Sequence, residues 1–109
     1  MRHTPLLALT VLAAAAVTGN RFVGHNGQHA AAAADALGVA DYDAAPGDNF
    51  AVTVLGTARV TAGAAIAKGA QIEVGANGKA ITRAAGKVVA KAMEAAAGDG
   101  ATITVLLVP

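Results

Sequence analysis

The chain has 109 residues, enough for one domain with a modest core. Its formal net charge is +1 and only 14% of its residues are charged, so its composition gives no support for nucleic-acid binding. The sequence contains no cysteine, which excludes disulfides and thiolate metal sites. It contains no serine either, so the usual nucleophiles of acyl transfer are absent.

The apolar residues promise only a thin core. They make up 55% of the chain, but most are alanine, and the aromatic residues are Phe22, Tyr42 and Phe50. A buried large side chain stabilises a fold by about 1.5–3 kcal/mol, and alanine by much less. Because small scaffolds with thin cores commonly associate, we expect a homo-oligomer.

The N-terminal segment allows two interpretations. Arg2 followed by the apolar stretch Pro5–Val17 is similar to a secretory signal peptide, although it is shorter than the 20 or so residues that span a bilayer. The β-branched Thr10 and Val11 favour instead an arm or first strand within residues 1–19. A secreted or periplasmic β-domain with this segment as its signal therefore remains the alternative.

The same segment carries the predicted contact residues. Its apolar side chains are too numerous to remain in water, and an exposed strand-like arm is a template for pairing with another chain. Either the segment pairs as a strand within its own fold, or it lies on a neighbouring subunit or a larger partner. We favour strand addition onto a neighbouring subunit or a larger partner, with contacts from Pro5, Leu6, Leu7, Leu9, Val11 and Leu12.

Strand signals dominate the next part of the chain. Asn20–Gly24 leads into Asn26-Gly27, a dipeptide favoured in hairpin turns because both residues tolerate positive φ. Asn49–Leu55 alternates apolar side chains between two faces, and Thr57–Thr61 continues after Gly56.

The second half repeats this arrangement of strands and turns. Ala70–Val74 is a predicted strand, Asn77-Gly78 a second turn, Lys79–Arg83 the returning strand and Thr102–Val108 the last strand. Short strands between glycine-rich turns predict an all-β fold, either a small barrel or a sandwich.

An internal repeat links the two halves. Val23–Gly27 returns as Val74–Gly78, and Val52–Leu55 returns as Ile103–Leu106, in each case 51 positions later (77 − 26, 104 − 53). Aligned without a gap, the repeats cover residues 21–55 and 72–106. Two copies are too few for a solenoid and predict a duplicated half-barrel or half-sandwich within one β domain, residues 20–109.

The repeat also bears on an alanine-rich segment. His29–Leu37 has helix propensity and ends at Gly38, but its repeat partner Ala80–Val88 contains β-branched residues and an interior glycine. We therefore expect short strands or irregular turns at Leu37–Ala40 and Val88–Ala92.

No motif for catalysis or ligand binding withstands inspection. An EF-hand counted from Asp41 would place Pro46 and Val52 where glycine and glutamate are required. His25 and His29 flank a tight turn and have no third ligand nearby, so we interpret them as surface residues. Asp41 and Asp43 are the remaining carboxylate pair, and we interpret them as solvated turn residues. We predict no catalytic, cofactor or metal site and no enzymatic activity.

The order of turns and small residues resembles a known family. Ala62–Ile72 precedes Asn77–Ala80, and Lys87–Ala96 precedes Gly98 and then Thr102–Leu107. In the first half, Leu37–Ala40 and Ala45–Asp48 follow the same pattern. This resembles the small capsid cement, or head decoration, proteins of tailed bacteriophages, from about Arg21 to the C-terminus.

The resemblance implies a structural virion protein that binds the outer surface of an icosahedral capsid and stabilises it. The implied partners are the major capsid protein and the chain itself, with a homotrimer favoured over a dimer because shells offer three-fold positions. It implies no nucleic acid, membrane or cofactor, a location on the virion and synthesis in the bacterial host cytoplasm.

Overall fold

A computed structural model describes residues 5–24, 27–32, 36–84 and 86–107. These residues form eight strands and one 3₁₀ turn at Ala76–Gly78. The strands are β1 Pro5–Leu12, β2 Phe22–Val23, β3 Gly38–Ala40, β4 Asn49–Thr61, β5 Gln71–Val74, β6 Ala80–Thr82, β7 Ala90–Ala92 and β8 Thr102–Leu107.

All strands belong to one sheet that curls back on itself. Its order is β2-β3-β4-β8-β7-β5-β6, and β1 pairs with β4 beside this path. Ala62 forms a parallel bridge with Ala80, and the Gly63 N–H donates to the Ala80 carbonyl at 2.7 Å. Because β6 thus returns to the end of β4, the sheet forms a nearly closed barrel of antiparallel strands. The predicted all-β class is confirmed.

Strand β4 unites two predicted strands. Asn49–Leu55 and Thr57–Thr61 run on as a single strand of 13 residues through Gly56, whose φ is 96°. Its first part pairs with β1 on one edge and with β3 on the other, and its second part pairs with β8. One strand therefore serves both halves of the molecule.

The second Asn-Gly pair makes the predicted turn. Asn77 and Gly78 both have positive φ, 57° and 76°, and the Gly75 N–H donates to the Lys79 carbonyl at 2.7 Å, which closes the hairpin between β5 and β6. In the first half Asn26 lies outside the described residues, and Gly27 has φ 77°.

The alanine-rich segment follows the repeat and not its helix propensity. The short strands expected at Leu37–Ala40 and Val88–Ala92 are present as β3 and β7. His29 forms a β-bridge with Val23, and the described residues between 27 and 37 contain no helix.

The N-terminal segment is a strand of the chain's own sheet. Strand β1 is antiparallel to β4, with Val11 opposite Phe50 and Leu12 opposite Asn49. Residues 5–12 thus form a strand of the chain's own sheet. Pairing of this segment with a neighbouring chain stays a prediction.

Hydrogen bonds reveal the internal repeat more fully than the sequence does. The register Ala8↔Thr53 to Leu12↔Asn49 in the β1–β4 pair recurs as Thr57↔Leu106 to Thr61↔Thr102 in the β4–β8 pair. We call residues 8–54 the first unit and residues 57–107 the second unit. Strand β1 is thus the counterpart of the second part of β4.

The spacing between equivalent residues is not constant, so the gapless alignment is wrong. The mutual bridge Val17–Ala44 recurs as Ile66–Ala96, which is 49 positions later at one end (66 − 17) and 52 at the other (96 − 44). The positive-φ residues Gly27 and Gly78 are 51 apart, and Gly47 and Gly100 are 53 apart. Residues inserted in the loops of the second unit widen the spacing step by step.

Each unit has a hydrophobic core of its own. The first core contains, among others, Phe50 and Val52, and their equivalents Ile103 and Val105 occupy the second core. The second core is larger because Phe22, Ala30 and Val39 of the first unit also belong to it. One face of the first unit is therefore docked onto the second core.

Gly78 lies at the junction between the units and provides a test of this docking. A Cβ on Gly78 would approach the Phe22 carbonyl to 2.7 Å, and the positive φ disfavours any side chain. We expect Gly78→Ala to lower the free energy of unfolding by about 2–4 kcal/mol in urea titrations.

Substitutions at two other glycines separate the steric contact of the added Cβ from the cost of the positive φ. Gly100 has φ 89° with open space around it, so Gly100→Ala should cost about 1–2 kcal/mol for the backbone alone. Gly98 has open space and no positive φ, so Gly98→Ala should change stability by less than about 0.5 kcal/mol. Equal losses at positions 78 and 100 would contradict the junction contact.

Candidate interaction surface

The predicted contact residues all lie on β1, but they do not share one environment. Leu9 and Leu12 are exposed, with 41% and 61% of their surface accessible, and Val11 is half-buried against the first core. Pro5, Leu6 and Leu7 belong to β1 by their backbone, and their side chains lie outside the described part of the structure. The structure therefore places at least two of the six side chains where a partner can reach them.

The backbone of β1 offers a further feature, an open edge. Within the described residues, β4 is its one strand partner. Just beyond the strand, the Ala13 N–H donates toward β4, to the Asp48 carbonyl at 2.8 Å, and the Ala14 N–H donates to the opposite side, to Gly27 at 3.1 Å. By this alternation Thr10 directs its N–H and carbonyl away from β4. An incoming strand can pair there.

The first core is less covered than the second. Four apolar residues on its rim are exposed or half-buried, and the equivalent residues of the second unit are buried. Val11, Leu37 and Val54 pack against the first core, and alternation places Leu9 on the same face of β1 as Val11. The equivalents of Leu9, Val11, Leu37 and Val54 in the second unit are Ala58, Val60, Val89 and Leu107. We call these four residues of the first unit the open side.

Tyr42 is an exposed aromatic residue that the sequence did not single out. Phe22 and Phe50 are fully buried, but 52% of Tyr42 is accessible, and its hydroxyl accepts the Ala51 N–H at 3.2 Å. Leu55 and Leu106 are also exposed and were not predicted as contact residues. The alternation of apolar and polar residues in the sequence assigns these positions to strands or turns. It does not show which face of a strand is covered by the rest of the chain.

The second unit is polar where the first carries Tyr42. Glu94 is the equivalent of Tyr42, and its carboxylate accepts the Thr104 N–H at 3.0 Å, as Tyr42 accepts that of Ala51. Arg59 lies 3.6 Å from the same carboxylate and donates to the Thr104 hydroxyl at 3.3 Å. Hydrogen bonds from Thr104 lower the pKa of Glu94, the one from the side chain more than the one from the backbone. The charge of Arg59 lowers this pKa further, by a smaller amount. Arg59, Glu94 and Thr104 thus satisfy one another's polar groups within the second unit.

The remaining titratable candidates support the fold. Asp43 accepts the Gly19 N–H at 2.7 Å, and Asp41 accepts the hydroxyl of Thr53 in β4 at 2.7 Å, so the two carboxylates bind different parts of the chain. His29 is half-buried and not fully exposed as predicted, and its Nε2 accepts the Thr18 N–H at 2.9 Å. His3 and His25 lie outside the described residues.

The described residues contain no group of three or more histidine or acidic side chains placed to hold a metal ion. Among the same residues, no helix has the length and apolar character needed to cross a membrane.

The chain is similar to known proteins in both its sequence and its fold. A model of the family described as phage cement protein matches residues 1–107. The chain belongs to the phage cement protein family. The match begins at the first residue, so the family pattern includes strand β1 as well as the two cores.

A solved structure has the same fold. The N-terminal base of the head fiber protein gp8.5 of bacteriophage phi29 is 24% identical and superimposes with a TM-score of 0.80. The similarity covers 94% of this chain and 93% of that one. No curated protein matches the sequence. The likeness to the head fiber base shows the fold, and membership of the cement family supports a capsid-associated structural role.

His29 makes the stability of the domain sensitive to acid. Burial, and to a lesser extent the charge of Arg21, lower the pKa of His29 below its ordinary value of 6.5. The unfolded chain takes up this proton near pH 6.5, but the folded chain does not. The contribution of His29 to the free energy of unfolding is therefore fully present above pH 6.5. It is lost as the pH drops below 6.5 toward the pKa of His29 in the folded chain.

Urea midpoints at about pH 7.5 and pH 5 measure this loss. In His29→Gln, an amide oxygen can accept the Thr18 N–H without titrating, so we expect the variant to lose less stability than the wild type between the two pH values. Equal losses in both proteins would exclude His29 as the cause.

Proposed function

We propose that this cement-family protein binds the outer surface of a bacteriophage icosahedral capsid and stabilises the shell. Family membership supports a capsid-associated structural role, and binding to the outer surface is the further step. The observation that carries it is the open edge of β1 next to the exposed Leu9 and Leu12. Exposed apolar side chains beside unpaired backbone groups are suited to receive a protein strand.

The contact residues of the proposal are those of β1. Val11 packs against the first core, Leu9 lies on the same face of the strand, and Leu12 lies on the opposite face. We propose that Pro5, Leu6, Leu7, Leu9, Val11 and Leu12 contact the major capsid protein or a neighbouring copy of the chain. A strand of the partner pairing along β1 would bring both faces of the strand into contact.

We further propose a homotrimer, with a dimer as the second possibility. The largest fully buried side chains of the described residues include only two phenylalanines and two isoleucines, Phe22, Phe50, Ile72 and Ile103. Association adds buried surface to such a core. Where three capsomers meet, a trimer provides three equal contacts, and their simultaneous engagement raises the apparent affinity.

Capsids that lack the protein provide the direct test. Purified protein mixed with such shells should co-sediment with them, and electron microscopy should show added density on the outside of the shell. Bound protein should also raise the temperature at which the shells disrupt, since a ligand that binds only the assembled state stabilises it. A protein that stays in the supernatant at all concentrations would refute the proposal.

A proline on the open edge separates strand pairing from side-chain contact. Thr10→Pro removes an N–H that points away from β4, a position at which an edge strand tolerates proline. We expect Thr10→Pro to weaken capsid binding by up to about tenfold, the effect of one lost hydrogen bond of about 0.5–1.5 kcal/mol. Titration of capsids followed by sedimentation measures the dissociation constant.

Thr10→Val is the matched control. It keeps the N–H, has high strand propensity and should bind capsids like the wild type. The thermal unfolding of both variants should remain close to that of the wild type. Equal capsid binding by Thr10→Pro and Thr10→Val would show that no strand is added at β1.

A further inference from the structure

The two cores differ in what covers them. In the second unit the rim residues Ala58 and Val60 are fully buried, and Phe22 and Val39 from the first unit belong to the same cluster. Their equivalents in the first unit, Leu9 and Val11, remain accessible. The molecule therefore contains one occupied and one open version of the same docking site.

The occupied version shows what such a site accepts. Phe22 and Val39 are cross-strand partners on β2 and β3, and both are buried. Beside them the Thr61 N–H, at the edge of β4, donates to the Asn20 carbonyl at 2.7 Å. The docked element is thus the face of a sheet that carries an apolar cross-strand pair. A hydrogen bond to the edge of β4 holds it in place.

A second copy of the chain is poorly suited to fill the open site. The residues equivalent to Phe22 and Val39 are Gln71 and Lys91, which form the same cross-strand pair between β5 and β7. Both are exposed, and both are polar. Docking this face onto another open side would bury an amide and an ammonium group against leucine and valine, which is unfavourable.

We propose that the open side, Leu9, Val11, Leu37 and Val54, receives an apolar cross-strand pair from a sheet of the major capsid protein, in the way that the second core receives Phe22 and Val39. This rests on the proposed function, since it names the part of the capsid partner that the β1 surface binds. The capsid strand would lie along the open edge of β1, and its apolar side chains would complete the first core.

An apolar cross-strand pair introduced into the second unit tests, without capsids, whether the open side can receive such a pair. In the full-length double variant Gln71→Phe/Lys91→Val, the second unit carries the apolar pair of the first. Because the open side of another copy can accept this pair, we expect head-to-tail association beyond the size of the wild-type assembly. Sedimentation velocity measures the size, and circular dichroism verifies that the strands are intact.

Leu9→Asp in the same background is the control for general stickiness. A charge on the open side should return the double variant to the wild-type assembly size, and Val54→Asp should act in the same way if the first substitution unfolds the chain. If Gln71→Phe/Lys91→Val remains at the wild-type size, or if its association survives both aspartates, the open side is not a receptor.

The capsid arm of the experiment identifies the occupant. Leu9→Asp alone should leave the wild-type assembly size unchanged and weaken binding to capsids by about tenfold or more. If Leu9→Asp instead dissolves the wild-type oligomer, the occupant is a second copy, and the proposal is overturned. Unchanged capsid binding would also overturn it. A wild-type chain that binds no capsids refutes the proposed function, while the double variant still decides whether the open side is a receptor.

Discussion

The shared strand β4 is the constraint on which the rest of the molecule depends. Its first part ends the first unit and its second part begins the second, so the two cores cannot separate without breaking this strand. The same continuity places Phe22 and Val39 against the second core. Two thin, alanine-rich cores thereby form one cooperative structure, in which each unit contributes to the burial of the other.

Alternation and turn chemistry predicted most of the strands because these signals are local. The Asn77-Gly78 turn and the β-branched run of β8 need no information from elsewhere in the chain. The helix propensity of the alanine-rich segment was overruled by the repeat, and the structure agrees with the repeat. Local propensity is a weak prior where a segment must complete a sheet.

The position of β1 was harder to predict for a physical reason. Its counterpart, residues 57–61, is not a separate strand but the second part of β4. A gapless comparison of residues 21–55 with 72–106 leaves both segments out, and inserted loop residues widen the spacing beyond the Asn-Gly turns. Hydrogen-bond registers reveal the equivalence because they depend on geometry and tolerate insertions.

Surface exposure was the part of the candidate site that the sequence could not determine. Leu9 and Ala58 occupy equivalent positions, and alternation assigns both to the core face. Only the docking of the first unit onto the second distinguishes them, and this docking is a tertiary contact between residues far apart in the chain. In the same way, alternation alone does not reveal that Tyr42 is exposed and Phe50 buried.

The polar pair Gln71 and Lys91 gives the two-unit architecture a direction. In repeat proteins an apolar outer face packs against the next repeat, and the terminal repeat has a polar outer face to which no further repeat is added. Here the second unit ends the series on one side, but the first unit keeps its apolar rim on the other. The exposure of Leu9 would cost solubility without a partner, whereas the polar end protects against open-ended self-association. A molecule with one closed and one open end is suited to add once to a larger surface and then to stop.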